Sequence, residues 1–391
     1  MFPTISDLLR ELFNIHIPLP IQTFGFMLAF SFFCAAWTLS IELRRKEKLG
    51  LFKPVTVKTL VGEPAKTSEL LYSFLIGFVI GYKLLYVVMN YDDFVNDTQG
   101  MLLSGNGSFL GGILFGIGSA AMRYYEKQKS RLEKPVWRSE EVSVANLVGN
   151  ITMVAAIAGI LGAKIFHNLE NIDDLIQDPI GALISFSGLT MYGGLICGGA
   201  AVLWYARKNG MDLFHMADSA APGLMLAYGT GRMGCHLSGD GDWGIVNLAP
   251  KPDWLGFLPD WFWSYNYPHN VINEGVRMID CVGNHCMVLP EPVFPTPLYE
   301  SLACIMLFAV LWSLRKKIAV PGMLFCIYLV MNGAERFLIE KIRVNTKYHF
   351  GSLDITQAEI ISLLLFVLGV VGIIWLKRKK SNKRRPEPAE G

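Results

Sequence analysis

The chain has 391 residues, 52% of them apolar and only 17% charged, where a soluble domain carries about 25% charge. Its 35 basic and 33 acidic side chains leave a net charge of +2, which gives no reason to expect a nucleic-acid partner. This composition excludes an ordinary soluble globular protein and predicts an all-α polytopic membrane protein.

In chain order, Met1–Pro20 carries Asp7, Arg10 and Glu11 among prolines and lacks the layout of a cleavable signal peptide. About nine apolar stretches follow, near 22–42, 69–90, 108–124, 144–166, 188–206, 216–235, 298–314, 321–341 and 357–376. Each is long enough to be read as a crossing of a ~30 Å hydrocarbon layer. Their connections sort by charge. Lys and Arg gather after the first, third, fifth, seventh and ninth stretches, at Arg44–Lys66, Arg123–Arg138, Arg207–Lys208, Arg315–Lys317 and Lys377–Arg385. The alternate connections are acidic or neutral, with Asp92, Asp93 and Asp97, then Asp173, Asp174 and Asp178. The positive-inside rule then puts the N-terminus outside and the C-terminus inside. The expected organisation is membrane helices one to six in 1–235, an extracytoplasmic cap in 236–297, helices seven to nine in 298–376, and a basic cytoplasmic tail in 377–391.

The second and third stretches match the fourth and fifth at an offset of 81 residues: Gly81 with Gly162, Lys83 with Lys164, Asn90 with Asn171 and Asp97 with Asp178. After a one-residue slip, Gly111-Gly112 meets Gly193-Gly194. The copies, near 75–118 and 157–200, share one orientation, so the duplication is parallel rather than inverted. Of the seven cysteines, Cys34, Cys197, Cys304 and Cys326 lie in apolar stretches and read as packing residues. Cys281 and Cys286 lie in the outer loop, where a disulfide is expected. Zinc held with His269 or His285 is the rival, and no metal or cofactor is otherwise expected.

Four segments carry candidate chemistry, all at the outer membrane face in this threading. The first is Gly188–Leu195, with Tyr192, Gly193 and Gly194, which reads either as substrate contact or as close helix packing. The second is Gly231–Gly244, where Arg232, Cys235, His236, Asp240 and Asp242 stand among Gly231, Gly234, Gly239, Gly241 and Gly244. An arginine at bilayer depth costs roughly 2.5–3.5 kcal/mol on insertion scales and is seldom kept without a role. The third is Pro295–Glu300, with Tyr299 and with Glu300 at a helix start that favours an acid in any case. The fourth, Glu335–Arg343, sets Arg336, Glu340 and Arg343 on one helix face. It reads as an interfacial ion-pair stripe, or as half of a phosphate clamp whose other half is Arg232, since the guanidinium fork suits phosphate.

In this order the four segments resemble the prolipoprotein diacylglyceryl transferase family. The resemblance implies transfer of a diacylglyceryl group from phosphatidylglycerol to the lipobox cysteine of prolipoprotein signal peptides, at the outer face of the membrane, without a cofactor. It maps the family's two essential arginines onto Arg232 and Arg336. Its signature glycines fall on Gly231, Gly234, Gly239 and Gly244, its acidic residue on Asp240 and its late glutamate on Glu340. Cys235 stands where the family often has asparagine, and Tyr192 where it often has histidine before Gly-Gly. An aspartate is inserted or shifted around Asp242, and the first copy of the repeat adds two spans to the family's usual seven. The substrate-contact set is then Arg232, Gly234, Cys235, Asp240, Gly193, Gly194, Gly239, Gly244, Tyr299 and Arg343. Arg232, Arg336, Glu340, His236 and Tyr192 are the expected catalytic set, with His236 expected to handle the proton that the family's missing histidine would take. A transporter of an anionic lipid or solute, and an inactive family member that only binds lipoprotein signal peptides, are the other readings.

Overall fold

The computed structural model describes residues 1–15, 17, 21–96, 98–184, 190–345, 347–350 and 353–382; Asp97, Gly188, Leu189 and the tail beyond 382 lie outside the described residues. Helices α1 (Ile5–Phe13), α2 (Thr23–Lys48), α3 (Thr67–Met89), α4 (Tyr91–Asn96), α5 (Thr98–Leu103), α6 (Phe109–Lys129) and α7 (Val148–Glu170) come first. They are followed by α8 (Ile172–Gln177), α9 (Pro179–Ile184), α10 (Met191–Lys208), α11 (Leu213–Ser238), α12 (Thr296–Leu314), α13 (Met323–Glu340) and α14 (Gln357–Asn382). The strands are confined to connections. They are β1 (Val55–Val61) with β2 (Val136–Val142), β3 (Val276–Arg277) with β4 (Met287–Val288), and β5 (Lys347–Phe350) with β6 (Leu353–Thr356).

A helix lies over each predicted apolar stretch. Among the described residues five helices are long and apolar enough to cross a membrane: α2, α3, α7 with the turn preceding it, α12 and α14. That is fewer than the nine crossings expected, because glycine and charge dilute α6, α10, α11 and α13. The molecule is a mostly helical, multi-pass membrane protein. Its exposed apolar side chains, such as Ile76, Val79 and Ile80 on α3, form the surface that lipid covers in such a fold.

The chain divides into two compact units. The smaller, Thr4–Gln22 with Thr56–Val142, contains α1 and the antiparallel pair α3 and α6. Ser108 opens α6 by accepting the Gly111 N–H at 3.3 Å. α3 and α6 approach at glycine: a Cβ on Gly81 would stand 2.3 Å from the Gly111 carbonyl oxygen. The larger unit, Met1–Pro3, Thr23–Val55 and Ser143–Gly391, contains the corresponding pair α7 and α10. A Cβ on Gly162 would stand 2.5 Å from the Gly193 carbonyl. α7, α8 and α9 each begin and end 81 residues after α3, α4 and α5.

Within the larger unit α11 is the hub, packed on α2, α12 and α13, while α13 packs on α14. Asp212 caps its start by accepting the His215 N–H at 2.8 Å. Gly239 ends it in the left-handed region at φ 67°, which turns the chain into the long loop before α12 at little steric cost. Gly234 lets α11 approach α2, since a Cβ there would come within 2.8 Å of the Met27 side chain. One core joins Leu39 and Leu43 of α2 to Val144–Ile151 and Met216; a second joins Met225, Cys304, Leu311 and Leu324. The loop between α11 and α12 has a core of its own, built on Trp243, Tyr267, Leu289 and Val293, and Cys281 and Cys286 are joined there in a disulfide.

Candidate active site

The C-terminal ends of α11 and α13 and the N-terminal end of α12 bring three arginines to one carboxylate. Glu300, in the second turn of α12, is fully buried. Its Oε2 accepts the Tyr228 hydroxyl at 3.1 Å and pairs with Arg232 Nε at 2.5 Å. Its Oε1 accepts Arg336 Nη1 and Arg343 Nη1, each at 3.0 Å. Tyr228 lies one turn before Arg232 on α11, and the Arg232 guanidinium sits over its ring, 5.5 Å from the centroid. A buried carboxylate with this many charge-assisted donors is well satisfied.

A second carboxylate closes the arrangement from the loop side. Asp242 accepts Arg343 Nη2 at 2.5 Å through one oxygen and pairs with Arg232 through the other. The loop is held in place by backbone pairing. Gly244 bridges to Arg343, its N–H donates to the Phe294 carbonyl at 2.9 Å, and the Ile245 N–H donates to the Ile342 carbonyl at 2.9 Å. Only glycine fits at 244, because a Cβ would come 2.5 Å from the Ile342 carbonyl oxygen. Thr296 Oγ1 donates to the Asp242 carbonyl at 2.9 Å and fixes the turn to the start of α12.

The third carboxylate, Glu340, pairs with Arg336 Nη2 at 2.9 Å and accepts Asn345 Nδ2 at 2.6 Å. Three guanidiniums are thus matched by three carboxylates. Burial pushes the Asp242 carboxyl upward, but Arg232 and Arg343 together outweigh this and hold it below the ordinary carboxylate range. Asp240 moves the opposite way: burial, then the negative charge of Asp242, raise it. Glu335, also on α13, is buried, and neither of its oxygens has a hydrogen-bond partner among the described residues.

Beside this network lies a cleft of about 320 Å³, lined by Tyr192, Arg336, Glu340, Asn345, Tyr348 and Gln357. The structure therefore brings Tyr192 to the side of Arg336 and Glu340, as the sequence order suggested it could. Cys235 is buried with its Sγ 3.9 Å from Arg232 Nη1, and Asp240 Oδ1 accepts the Asp242 N–H at 3.3 Å.

Other expected site residues are placed elsewhere. His236 is only 6% exposed. Its Nδ1 lies 3.1 Å from the Tyr267 hydroxyl, and Trp261, Tyr265 and Tyr267 ring it with centroids 5.7–6.4 Å away. Among the described residues it has no ion pair or hydrogen bond to the arginines. Gly193 and Gly194 face α7, against Gly162 and Gly159, in the manner of helix packing. Tyr299 turns outward, and its hydroxyl donates to the Phe262 carbonyl at 2.6 Å. Gly239 serves as the C-cap of α11.

Sequence reasoning had Glu300 and Asp242 inside its candidate segments but left both out of the catalytic and substrate-contact sets. For Glu300 the available signal was a carboxylate inside an apolar helix start, a costly residue without a cationic partner nearby in sequence. For Asp242 it was an extra acid in a glycine-rich turn that already held one.

The sequence profile described as prolipoprotein diacylglyceryl transferase matches residues 130–375. A phosphatidylglycerol–prolipoprotein diacylglyceryl transferase of Dehalococcoides mccartyi is 26% identical over 279 residues, covering 68% of this chain and 94% of its own. Proteins of the same name from Vibrio parahaemolyticus and Staphylococcus saprophyticus are 28% and 27% identical. The first covers 68% of this chain and 91% of its own length, the second 60% and 76%. The profile match begins after α6, so α2 and the first helix pair lie outside it.

Proposed function

Because this chain belongs to the prolipoprotein diacylglyceryl transferase family, we propose that it transfers the diacylglyceryl group of phosphatidylglycerol to the lipobox cysteine thiol of prolipoproteins. The observation that carries this reading is the meeting of Arg232, Arg336 and Arg343 on one buried carboxylate. Groups that hold a carboxylate between them have the charge and the planar donor geometry to hold a phosphate.

In the proposed reaction the cysteine sulfur attacks the terminal glycerol carbon of the diacylglyceryl group. A C–S bond forms, the C–O bond to phosphate breaks, and glycerol phosphate leaves with the electron pair. The thiol, with a free pKa near 8.5, gives up its proton to the departing glycerol phosphate, which leaves as a phosphate monoester able to accept it. Arg232 and Arg336 neutralise the charge that grows on the departing phosphate, usually the largest single contribution in such sites. Glu340 positions Arg336, and Asp242 positions Arg232 and Arg343. Tyr192 stands at the cleft wall, where it can donate to the lipid. His236, enclosed by aromatic rings, is assigned to the packing of the outer loop rather than to proton transfer.

The reaction belongs at the outer face of the inner membrane, with nine crossings, the loop 236–297 outside and the C-terminus in the cytoplasm. The alternation of basic and acidic connections supports this orientation. The matching boundaries of α3–α5 and α7–α9 support a parallel duplication in which the second copy serves the site. The transporter reading is set aside, since the named relatives are transferases. Purified protein, phosphatidylglycerol vesicles and a lipobox peptide test the proposal: the peptide cysteine is expected to gain the mass of a diacylglyceryl group. No mass gain with a folded, membrane-inserted protein leaves the inactive signal-peptide binder as the reading.

A further inference from the structure

A second charged cavity lies in the same unit, at the opposite end of the α11–α13 bundle. It has a volume of about 240 Å³, and its charged wall is formed by Glu42, Arg45, Lys46, Asp218, Arg315 and Lys316, with His215 beside them. Asp218 lies 14 residues before Arg232 on α11, or roughly 21 Å along the helix axis, so this cavity is separate from the arginine–Glu300 network.

The wall is built from buried charge. Glu42 is fully buried and accepts Arg45 Nε at 2.9 Å and Arg315 Nε at 3.1 Å. The Arg315 guanidinium stacks on the Trp312 ring at 3.3 Å from the centroid, and its Nη1 donates to the Trp312 carbonyl at 2.5 Å. Lys46 is 5% exposed, and its ammonium donates to the His215 carbonyl at 2.8 Å. Asp218 is occupied by the start of α13, accepting the Gly322 N–H at 2.7 Å and the Phe325 N–H at 2.9 Å.

The balance is unequal. Four cations face two carboxylates, and both carboxylates are already engaged. Among the described residues, Arg45 Nη1, Arg315 Nη2 and the Lys316 ammonium have no hydrogen-bond acceptor. At the rim Leu49 and Leu51 are exposed, and both also line the cavity. An excess of fixed donors around a small cavity between helix ends, with apolar side chains at its mouth, suits an anionic headgroup whose chains lie along the protein.

The geometry points to a second anion site here, taking a phosphate group on the face opposite the active site. The shared chemistry is phosphate, supplied either by an anionic lipid or by phosphate from solution. Assigning it to the cytoplasmic leaflet rests on the orientation proposed above; the site itself does not.

The test is native mass spectrometry of the full chain in delipidated detergent micelles, titrated in parallel with dioleoyl phosphatidic acid, dioleoyl phosphatidylcholine and inorganic phosphate. Lys316→Ala removes an exposed cation that pairs with nothing. Arg315→Gln removes one fixed donor from the wall and leaves Glu42 paired with Arg45, so that no buried charge is stranded. Each is expected to weaken phosphatidic acid binding by about fivefold or more, from roughly one basic residue's worth of attraction, without changing phosphatidylcholine binding or peptide transfer. Phosphatidic acid binding without phosphate binding identifies a lipid; variant-sensitive binding of both identifies a phosphate site open to solution. Wild-type phosphatidic acid affinity in both variants, each still folded by thermal unfolding, overturns the site. Because binding and transfer are read separately, a protein that fails to transfer still tests this inference.

Discussion

Arg336 Nη1 stands 3.0 Å from Glu300 Oε1, across a sequence separation of 36 residues, so the arginine of α13 is held by the carboxylate at the start of α12. Arg232 is held by the same carboxylate through its other oxygen. The two arginines that sequence order could only nominate thus share one anion, and their joint aim follows from a group that belongs to neither of their segments.

The first prediction concerns that pair. Arg232→Ala and Arg336→Ala are each expected to lower transfer by at least about 10²–10³, the cost of removing a donor that stabilises developing charge. Lysine at either position is expected to restore little, because an ammonium cannot reproduce the two-pronged fork. Mass gain on a lipobox peptide measures this, and near-wild-type transfer by either alanine variant would remove that arginine from the mechanism.

Glu300→Gln tests the hub itself. It leaves the volume but takes a negative charge away from three guanidiniums. Breaking a buried ion pair in this way costs about 3–5 kcal/mol, so a clear fall in the thermal unfolding temperature in detergent is expected. Adding Arg343→Gln is expected to recover part of that loss by restoring the charge balance. An unchanged unfolding temperature in the single variant would mean that the carboxylate is not the anchor.

Acidification separates Asp242 from Asp240. Asp242 is held below its ordinary range, so its stabilising contribution is complete above the unfolded-state pKa of about 3.9 and is lost as pH falls through the lower, folded value. Asp242→Asn is therefore expected to lower stability at neutral pH and to flatten the loss below about pH 4. Asp240 is raised, so its ionised form costs stability above its folded pKa. Asp240→Asn is expected to stabilise the protein at neutral pH, with the gain fading on acidification. Thermal unfolding from pH 3 to 7 gives both curves, and parallel curves for the two variants would contradict the assignment.

His236→Phe separates proton transfer from packing. A general base contributes about 10²–10⁴ in rate, and a deficit of that size that shrinks as pH rises would make His236 the base. The aromatic enclosure leads to a different expectation: transfer within about tenfold of wild type, with a pH profile of unchanged shape.

Orientation is read by labelling single cysteines in intact cells. Positions in 236–297 are expected to react with a membrane-impermeant thiol reagent, and positions in 43–68 to stay protected until the cells are opened. The reverse pattern would put the arginine site on the cytoplasmic face and remove the proposed reaction from the outer leaflet.

Helix placement was legible because it is local. Apolar runs are written within the helices they form, and the predicted stretches fall on α2, α3, α6, α7 and α10–α14. The spacing of glycine, lysine and asparagine that suggests a duplication is likewise a linear property. Arg232 and Arg336 stood out because charge in an apolar setting is costly wherever it occurs. Pairing is different, because it depends on which helix ends meet and where a loop returns. Asp242 reaches Arg343 across 101 residues only because the Gly244 turn lies back on the end of α13. His236 lies one helical turn from Arg232, yet its surroundings are set by where Trp261, Tyr265 and Tyr267 are folded back. Gly193 was open to two readings, substrate contact and helix packing, and only the fold puts α7 against it. The sequence by itself determined the membrane class, the helices and the costly residues. Tertiary packing decided their partners, because a charge buried across tens or a hundred residues is satisfied by whichever group the fold brings near.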